Sequence, residues 1–271
     1  ENNIASGLTL TGGDLAGAIS GTGSTVIGGA VTNNNAKTIA QAISVNETAS
    51  LTTVANAIGG AVTNSGTVEL TGDTLTQTIT GGTLNITGDV KSSADNLLAD
   101  TITNSVSLTL TEGNLVKDVA GNGTTVIDTE NTVANSANIT TLTQVKAGTL
   151  DNTNGKLANV ETSENTILNS NADNISGNIT NEGTYNVVGG TIANTISGSG
   201  STILNTDMVN NGSILQDVYV VTGKTLTSSA AGLGGNVNLA SASTLNFKNG
   251  SVDALAGAIN VALGADANLK M

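Results

Sequence analysis

The chain has 271 residues, 38% of them apolar but only 1% aromatic, and a net charge of −13 from 21 acidic groups against eight lysines. It has no His, Cys, Trp or Pro, and all its basic residues are Lys. A Ser-His-Asp triad, a cysteine nucleophile, a zinc site built on N and S ligands and a disulfide framework are therefore excluded, and nucleic acid is a poor partner for an acidic surface with no arginine fork.

The first strand-like run is Leu8-Thr9-Leu10-Thr11, followed by the turn pair Gly12-Gly13 and by Leu15, Ile19 and Val26. Gly28-Gly29-Ala30-Val31-Thr32-Asn33 then recurs as Gly59-Gly60-Ala61-Val62-Thr63-Asn64, 31 residues later. After the corner Asn64-Ser65-Gly66, the run Thr67 to Thr71 opens the clearest unit, with apolar positions Val68, Leu70, Leu75, Ile79 and Ile86. The gaps of two, five, four and seven match those of Leu8, Leu10, Leu15, Ile19 and Val26. They match again at Leu108, Leu110, Leu115, Val119 and Val126, and at Tyr185, Val187, Ile192, Ile196 and Ile203. A weaker copy runs Leu245, Phe247, Val252, Ala256, Leu263. The stretch 128–165 is too degenerate for its register to be read. Turn signals separate the runs at Gly81-Gly82, Asn122-Gly123, Gly189-Gly190, Asn211-Gly212 and Asn249-Gly250, where Gly and Asn tolerate positive φ. Ser93 to Thr103 and Ser251 to Leu263 are Ala-rich enough for a turn or two of helix, but Thr, Val, Ile, Asn and Gly argue for strands elsewhere.

The copies start 60, 40, 77 and 60 residues apart, each near a multiple of twenty. Such a period marks a solenoid, whose coils bury an apolar face only by stacking on their neighbours. Three short strands and three corners in ~20 residues make one turn of a parallel β-helix, with coils ~4.8 Å apart. The expectation is a single all-β domain over 1–271, about thirteen coils and roughly 60 Å long. The absence of Pro agrees with backbone N–H groups committed to a ladder.

The motif [Ile/Val]-Thr-Asn recurs at Val62-Thr63-Asn64-Ser65-Gly66, Ile179-Thr180-Asn181-Glu182-Gly183 and Ile102-Thr103-Asn104-Ser105, with a looser relative at Met208-Val209-Asn210-Asn211-Gly212. Asn64, Asn104, Asn181 and Asn211 are expected to form a corner ladder that shares side-chain amide bonds. Asn-x-Gly followed by an alternating Gly-Thr-[Val/Leu]-x-[Leu/Ile]-Thr-Gly strand, in a Thr/Asn/Gly/Ala-rich chain without Cys, resembles the passengers of autotransporter adhesins and filamentous-haemagglutinin-type exoproteins. The resemblance is one of repeat style over most of the chain. It implies a right-handed parallel β-helix at a bacterial surface or outside the cell, serving in adhesion, self-association or as a stalk. Host or matrix glycans and other surface proteins are the partners it implies. No signal peptide opens the chain at Glu1, so an exported protein would be represented by a mature or trimmed segment. No apolar run reaches the ~18 residues of a membrane span, and three aromatics do not make the girdles of an outer-membrane barrel.

The candidates for chemistry are few. A glycosidase needs two carboxylates about 5–10 Å apart, and the sequence offers Glu161 with Glu164, Asp128 with Glu130, and Asp14 or Asp73 on stacked corners. These are expected to be solvated turn residues, and no enzyme activity or cofactor is expected. Calcium could sit among corner carboxylates and carbonyls, but Gly12-Gly13-Asp14 is only a fragment of a calcium nonapeptide. The Asn-x-Ser/Thr sequons at Asn46, Asn85, Asn122, Asn138, Asn174, Asn178, Asn211 and Asn249 are read as ladder residues rather than glycan carriers. The expected function is a non-enzymatic structural or adhesive rod. One alternative is a subunit that assembles end to end through strand edges. Another is an ice-binding solenoid presenting Thr9, Thr11, Thr109 and Thr111, and the last is a polysaccharide-degrading β-helix.

Overall fold

In a computed structural model the described residues are 2–248, 255–261 and 266–270. About 55% of the chain is strand and the paired strands run parallel, forming β-solenoid coils of about 18 residues rather than 20. Helix is confined to four single 3-10 turns among the described residues, one of them at Ala94–Asn96 within the Ala-rich stretch Ser93 to Thr103. The other Ala-rich stretch, Ser251 to Leu263, lies partly outside the described residues, and within it Ile259–Val261 is strand. The chain divides into two compact units, 1–128 with 136–141, and 129–135 with 142–271.

In the first unit each coil visits three faces. Face one stacks Leu8–Leu10, Ser24–Ile27, Ala42–Val45, Val62–Asn64, Ile79–Thr80 and Leu97–Leu98. Face two stacks Gly13–Asp14, Ala30–Asn33, Ser50–Thr53, Thr67–Leu70, Thr83–Ile86, Thr101–Asn104 and Val119–Ala120. Face three begins as single bridges, Ile19 to Ile39 to Ile58, and continues through Asp73–Leu75, Asp89–Ser92 and Ser107–Leu110. Alternate residues of each strand point in, so Val31, Leu51, Val68, Leu84, Ile102 and Val119 form one apolar column, each at most 2% exposed. Each such aliphatic contributes about 1.5–3 kcal/mol by leaving water, but only when the neighbouring coil is present to cover it.

The repeated apolar spacing is one coil long, entered at a different corner each time. Leu8 and Leu10 lie on face one, Val68 and Leu70 on face two, and Leu108 and Leu110 on face three. The three faces therefore share one grammar of corner and strand, which explains why copies recur at distances that are not whole numbers of coils.

Val68, Leu70, Leu75, Ile79, Ile86, Leu15, Ile19, Leu108, Leu110, Leu115 and Val119 are buried, whereas Leu8 and Leu10 on the first coil are half-buried. The last position of the spacing depends on corner length. Gly81-Gly82 is a two-residue corner, and Leu84 and Ile86 follow it inward. Gly21-Thr22-Gly23 and Gly121-Asn122-Gly123 are one residue longer, and a one-residue shift sends every side chain to the other face. Thr25 and Ile27 therefore point in and Val26 is half-buried on the outside; Thr125 and Ile127 likewise take the inward positions, while Val126 pairs with outward Thr109 and is nonetheless buried. Gly121, at φ +119°, must be glycine, since a Cβ there would lie 2.2 Å from the Asn104 carbonyl.

The second unit repeats the plan. Its first face stacks 149–152, Ile167–Asn171, Thr184–Gly189, Ser201–Leu204, Asp217–Val220, Val237–Leu239 and Ile259–Val261. Its second stacks 143–145, Val160–Thr162, Ile179–Asn181, Thr195–Ser197 and Ser213–Ile214. Its third stacks Thr191–Ile192, Met208–Asn210, Thr225–Ser228, Thr244–Phe247 and Asn268–Lys270. Tyr185, Val187, Ile192 and Ile196 are buried, but Ile203 is not: the three-residue corner Gly198-Ser199-Gly200 turns Thr202 and Leu204 inward and leaves Ile203 half-exposed. In the weak copy Leu245 and Phe247 are buried and Ala256 is exposed, while Val252 and Leu263 lie outside the described residues.

Candidate functional site

Asparagine at the end of an inward strand position becomes a corner plug. Asn64, 3% exposed, accepts the Gly66 N–H at 3.0 Å and donates to the Gly81 and Thr83 carbonyls of the next coil at 3.2 and 2.9 Å. Asn104 accepts from Val106 at 3.3 Å and donates to Thr124 at 2.9 Å. Asn181 donates to the Gly183 and Ser201 carbonyls at 3.2 and 3.0 Å and accepts the Thr162 hydroxyl at 2.6 Å. Asn211 does not belong to this set. It stands exposed, and Asn210 beside it is the plug, 2% exposed and bonded to Ser228 Oγ, the Gly232 carbonyl and the Gly212 N–H at 3.0, 3.0 and 3.1 Å. These plugs mostly bond backbone rather than one another; among the buried asparagines described, Asn135 donates to Asn152 amide to amide, at 2.7 Å.

Two further polar devices carry sequence signals of their own. One is [Thr/Ser]-x-Ala-x-x-[Ile/Leu], at Thr53 to Ile58, Ser92 to Leu97, Ser170 to Ile175 and Ser228 to Leu233. Its first hydroxyl is buried and donates to the next carbonyl at 2.8–3.1 Å, and its Ala opens a 3-10 turn. Asn33, Asn152 and Asn210 of the preceding coils cap three of these hydroxyls at 3.1, 2.9 and 3.0 Å. The other device answers the long corners. The Thr turned inward after each Gly-x-Gly meets a polar side chain two residues beyond an apolar bridge residue of the next coil. Thr25 donates to Gln41 at 3.1 Å, Thr125 pairs with Thr141 at 2.7 Å, and Thr202 donates to the Gln216 carbonyl at 2.8 Å. Gln216 also accepts the Asn181 amide at 2.8 Å and donates to the Asn181 and Ser197 carbonyls at 3.1 and 3.2 Å.

Corner carboxylates accept backbone N–H groups from adjacent coils. Asp95 takes that of Asn114 at 2.9 Å, Asp118 that of Asn138 at 2.8 Å, and Asp173 that of Thr191 at 2.9 Å. Asp207 takes Thr225 at 2.8 Å and Asp217 takes Asn236 at 2.9 Å. Glu182 accepts both the hydroxyl and the backbone N–H of Ser199, which hold its carboxyl below the ordinary range, the hydroxyl more than the backbone. Tyr185 is shifted the other way: burial first, then the Asp173 charge, push its phenol up.

The carboxylate pairs read from sequence are not assembled into a cleft. Asp14 sits on face two and binds Asn34 and Asn35 at 3.3 and 3.4 Å, while Asp73 sits on face three, at φ +75°, and accepts its own neighbour Thr74 N–H at 2.7 Å; their corners are not stacked. Glu161 points outward and accepts the Gln144 amide at 2.7 Å, and Glu164, Asp128 and Glu130 are exposed. Among the described residues no three carboxylates converge as metal ligands would. Thr9 lies on face one and Thr109 on face three, paired with Lys91 and Val126, so they do not share a rank. Of the sequons, Asn174 and Asn178 bond neighbouring coils at 3.0 and 3.3 Å, whereas Asn46, Asn122 and Asn211 stand exposed at corners; Asn249 is outside the described residues. No helix among the described residues is long and apolar enough to cross a membrane. No family model, curated protein or solved structure matches the chain.

Proposed function

We propose that this chain is a non-catalytic solenoid, displayed on a bacterial surface or released outside the cell, that presents its outer faces for adhesion or self-association. The observation that carries the reading is where the corner carboxylates sit. In a chain without His, Cys or Arg they are the principal source of acid–base chemistry, and Asp95, Asp118, Asp173, Asp207 and Asp217 are bonded to the main chain of the adjacent coil. Groups that brace the stack are poor candidates for proton transfer, which needs a carboxyl in reach of substrate. What the coils leave to solvent includes registered outward ranks such as Thr32, Thr52, Glu69, Asn85 and Thr103. The style of the repeat, similar to that of autotransporter passengers, supports display outside the cell. The test has two arms. Bacteria displaying the chain should settle together or adhere to matrix-coated plates more than cells displaying a Leu70→Asp variant. The purified chain should release no reducing ends or unsaturated products from a panel of polysaccharides. Absent adhesion and settling, or turnover abolished by Glu161→Gln, would overturn the reading.

A further inference from the structure

The outer rank of the second unit's first face runs Asn169, Asn186, Ile203, Tyr219, Asn238, Asn260, one residue per coil and each in register with the next. Tyr219 is one of three aromatics in the chain, and unlike Tyr185 and Phe247 it is outside the core, 43% exposed. It faces no charge in its own rank. Below it the Asn260 amide donates to the Asn238 carbonyl at 2.9 Å, and the Asn238 amide donates to the Val218 backbone at 3.3 Å. Two coils above, Asn186 donates to Asn169 at 2.8 Å. An asparagine amide offers two N–H groups and two lone pairs, so each rung keeps hydrogen-bonding capacity toward solvent after these bonds. Tyr219, Asn238 and Asn260 line a groove of about 460 Å³ together with Thr222 and five aliphatic residues, the exposed Val261 among them, and no charged residue stands in its wall.

We infer that this groove is a binding site for a neutral linear oligosaccharide, with Tyr219 as the stacking platform and Asn238 and Asn260 as the hydroxyl-reading amides. The chemistry fits on three counts. An aromatic ring presents an apolar face with a polar tip, and it suits the C–H face of a pyranose. Fixed amides donate and accept at once, as a sugar hydroxyl does. The uncharged wall, in a chain of net charge −13, excludes anionic glycans and gives cations no partner. Successive amides are one coil apart, ~4.8 Å, close to the advance of one sugar unit in an extended chain, so neighbouring rungs can address neighbouring units.

This inference deepens the adhesive reading and rests on it only for its biological setting. The experiment is titration of the full chain with cellohexaose, chitohexaose and maltohexaose, and with an oligogalacturonate as the anionic control, followed by calorimetry and ligand-observed NMR. At least one neutral hexasaccharide should bind with little dependence on salt, and the oligogalacturonate should not. Tyr219→Ala should weaken binding about five- to tenfold, the size of a lost aromatic contact, and Tyr219→Phe should preserve it. Because Tyr219 is exposed, these variants should keep the far-ultraviolet circular dichroism of the parent. No binding by any neutral probe, preferred binding of the anionic control, or binding indifferent to Tyr219→Ala would overturn the site. Cell adhesion that persists in Tyr219→Ala while the purified chain binds no sugar would overturn the site and leave the adhesive reading standing.

Discussion

Gln216 offers a direct test of how the long corners are tolerated. It is 4% exposed, and its amide holds the Thr202 hydroxyl, which is 0% exposed, together with the Asn181 amide. Gln216→Leu keeps the volume and removes the partner. An orphaned buried hydroxyl costs about 1–3 kcal/mol. Asn181 keeps its bonds to Gly183 and Ser201 but loses both of its bonds to Gln216, and the Ser197 carbonyl loses a third, about 2 kcal/mol together. The leucine returns about 1 kcal/mol of apolar burial. The net expectation is a destabilisation of about 3 kcal/mol. Thr202→Val removes the hydroxyl itself, so in the Gln216→Leu background it should recover about 1 kcal/mol instead of adding a cost. Solenoids open locally, so the readout is amide hydrogen exchange over Ser201–Leu204 and Asp217–Val220 together with urea titration. Strictly additive losses, or a Gln216→Leu chain as stable as the parent, would refute the claim that the glutamine exists to satisfy the inward threonine.

Three other outcomes follow from the geometry. Leu70→Asp puts an unpaired carboxylate in a column that is 0% exposed, and should lower stability by several kcal/mol in chemical denaturation. Asn210→Ala should cost about 2 kcal/mol through its lost bonds to Ser228 and Gly232, whereas Asn211→Ala next to it should stay within about 0.5 kcal/mol, a contrast that thermal melts resolve. Glu182 has a folded-state pKa below the ordinary 4.5, so its bond to Ser199 supports the fold above that value and the support is lost as pH falls through the lower folded pKa; Ser199→Ala should raise the Glu182 titration midpoint in an NMR pH series.

The all-β solenoid was legible because alternation and turn residues recur all along the chain. Copies one coil long pointed to stacking even though the coil is about 18 residues rather than 20. The error in period has a physical source. Face one, face two and face three use the same corner-strand grammar, so the starts at Leu8, Val68 and Leu108 are displaced by thirds of a coil as well as by whole coils. Val26 and Ile203 were misplaced because Gly-x-Gly is one residue longer than Gly81-Gly82, and a pleat of period two converts that single residue into an inversion of faces. The same inversion is marked in sequence by a later Gln41, Thr141 or Gln216, a partner that only the stacking of coils reveals. Asn211 carries the stronger turn signal, being followed by Gly212, yet inward direction is set by the strand that precedes the turn, which makes Asn210 the plug. The Tyr219 groove carries no local motif at all, since its members are one per coil and meet only through register.

Register is also the central claim, and one distance tests it. Thr32, Thr52, Glu69, Asn85, Thr103 and Ala120 form a single outward rank on face two of the first unit. From Thr32 to Ala120 is five coil steps, about 24 Å at ~4.8 Å per step. The chain has no cysteine, so Thr32→Cys with Ala120→Cys gives two unique spin-label sites for pulsed electron paramagnetic resonance. The account predicts one narrow distribution near about 24 Å, broadened only by the labels. A broad distribution, or a narrow one centred well away from that value, would contradict the stacking from which every other assignment follows.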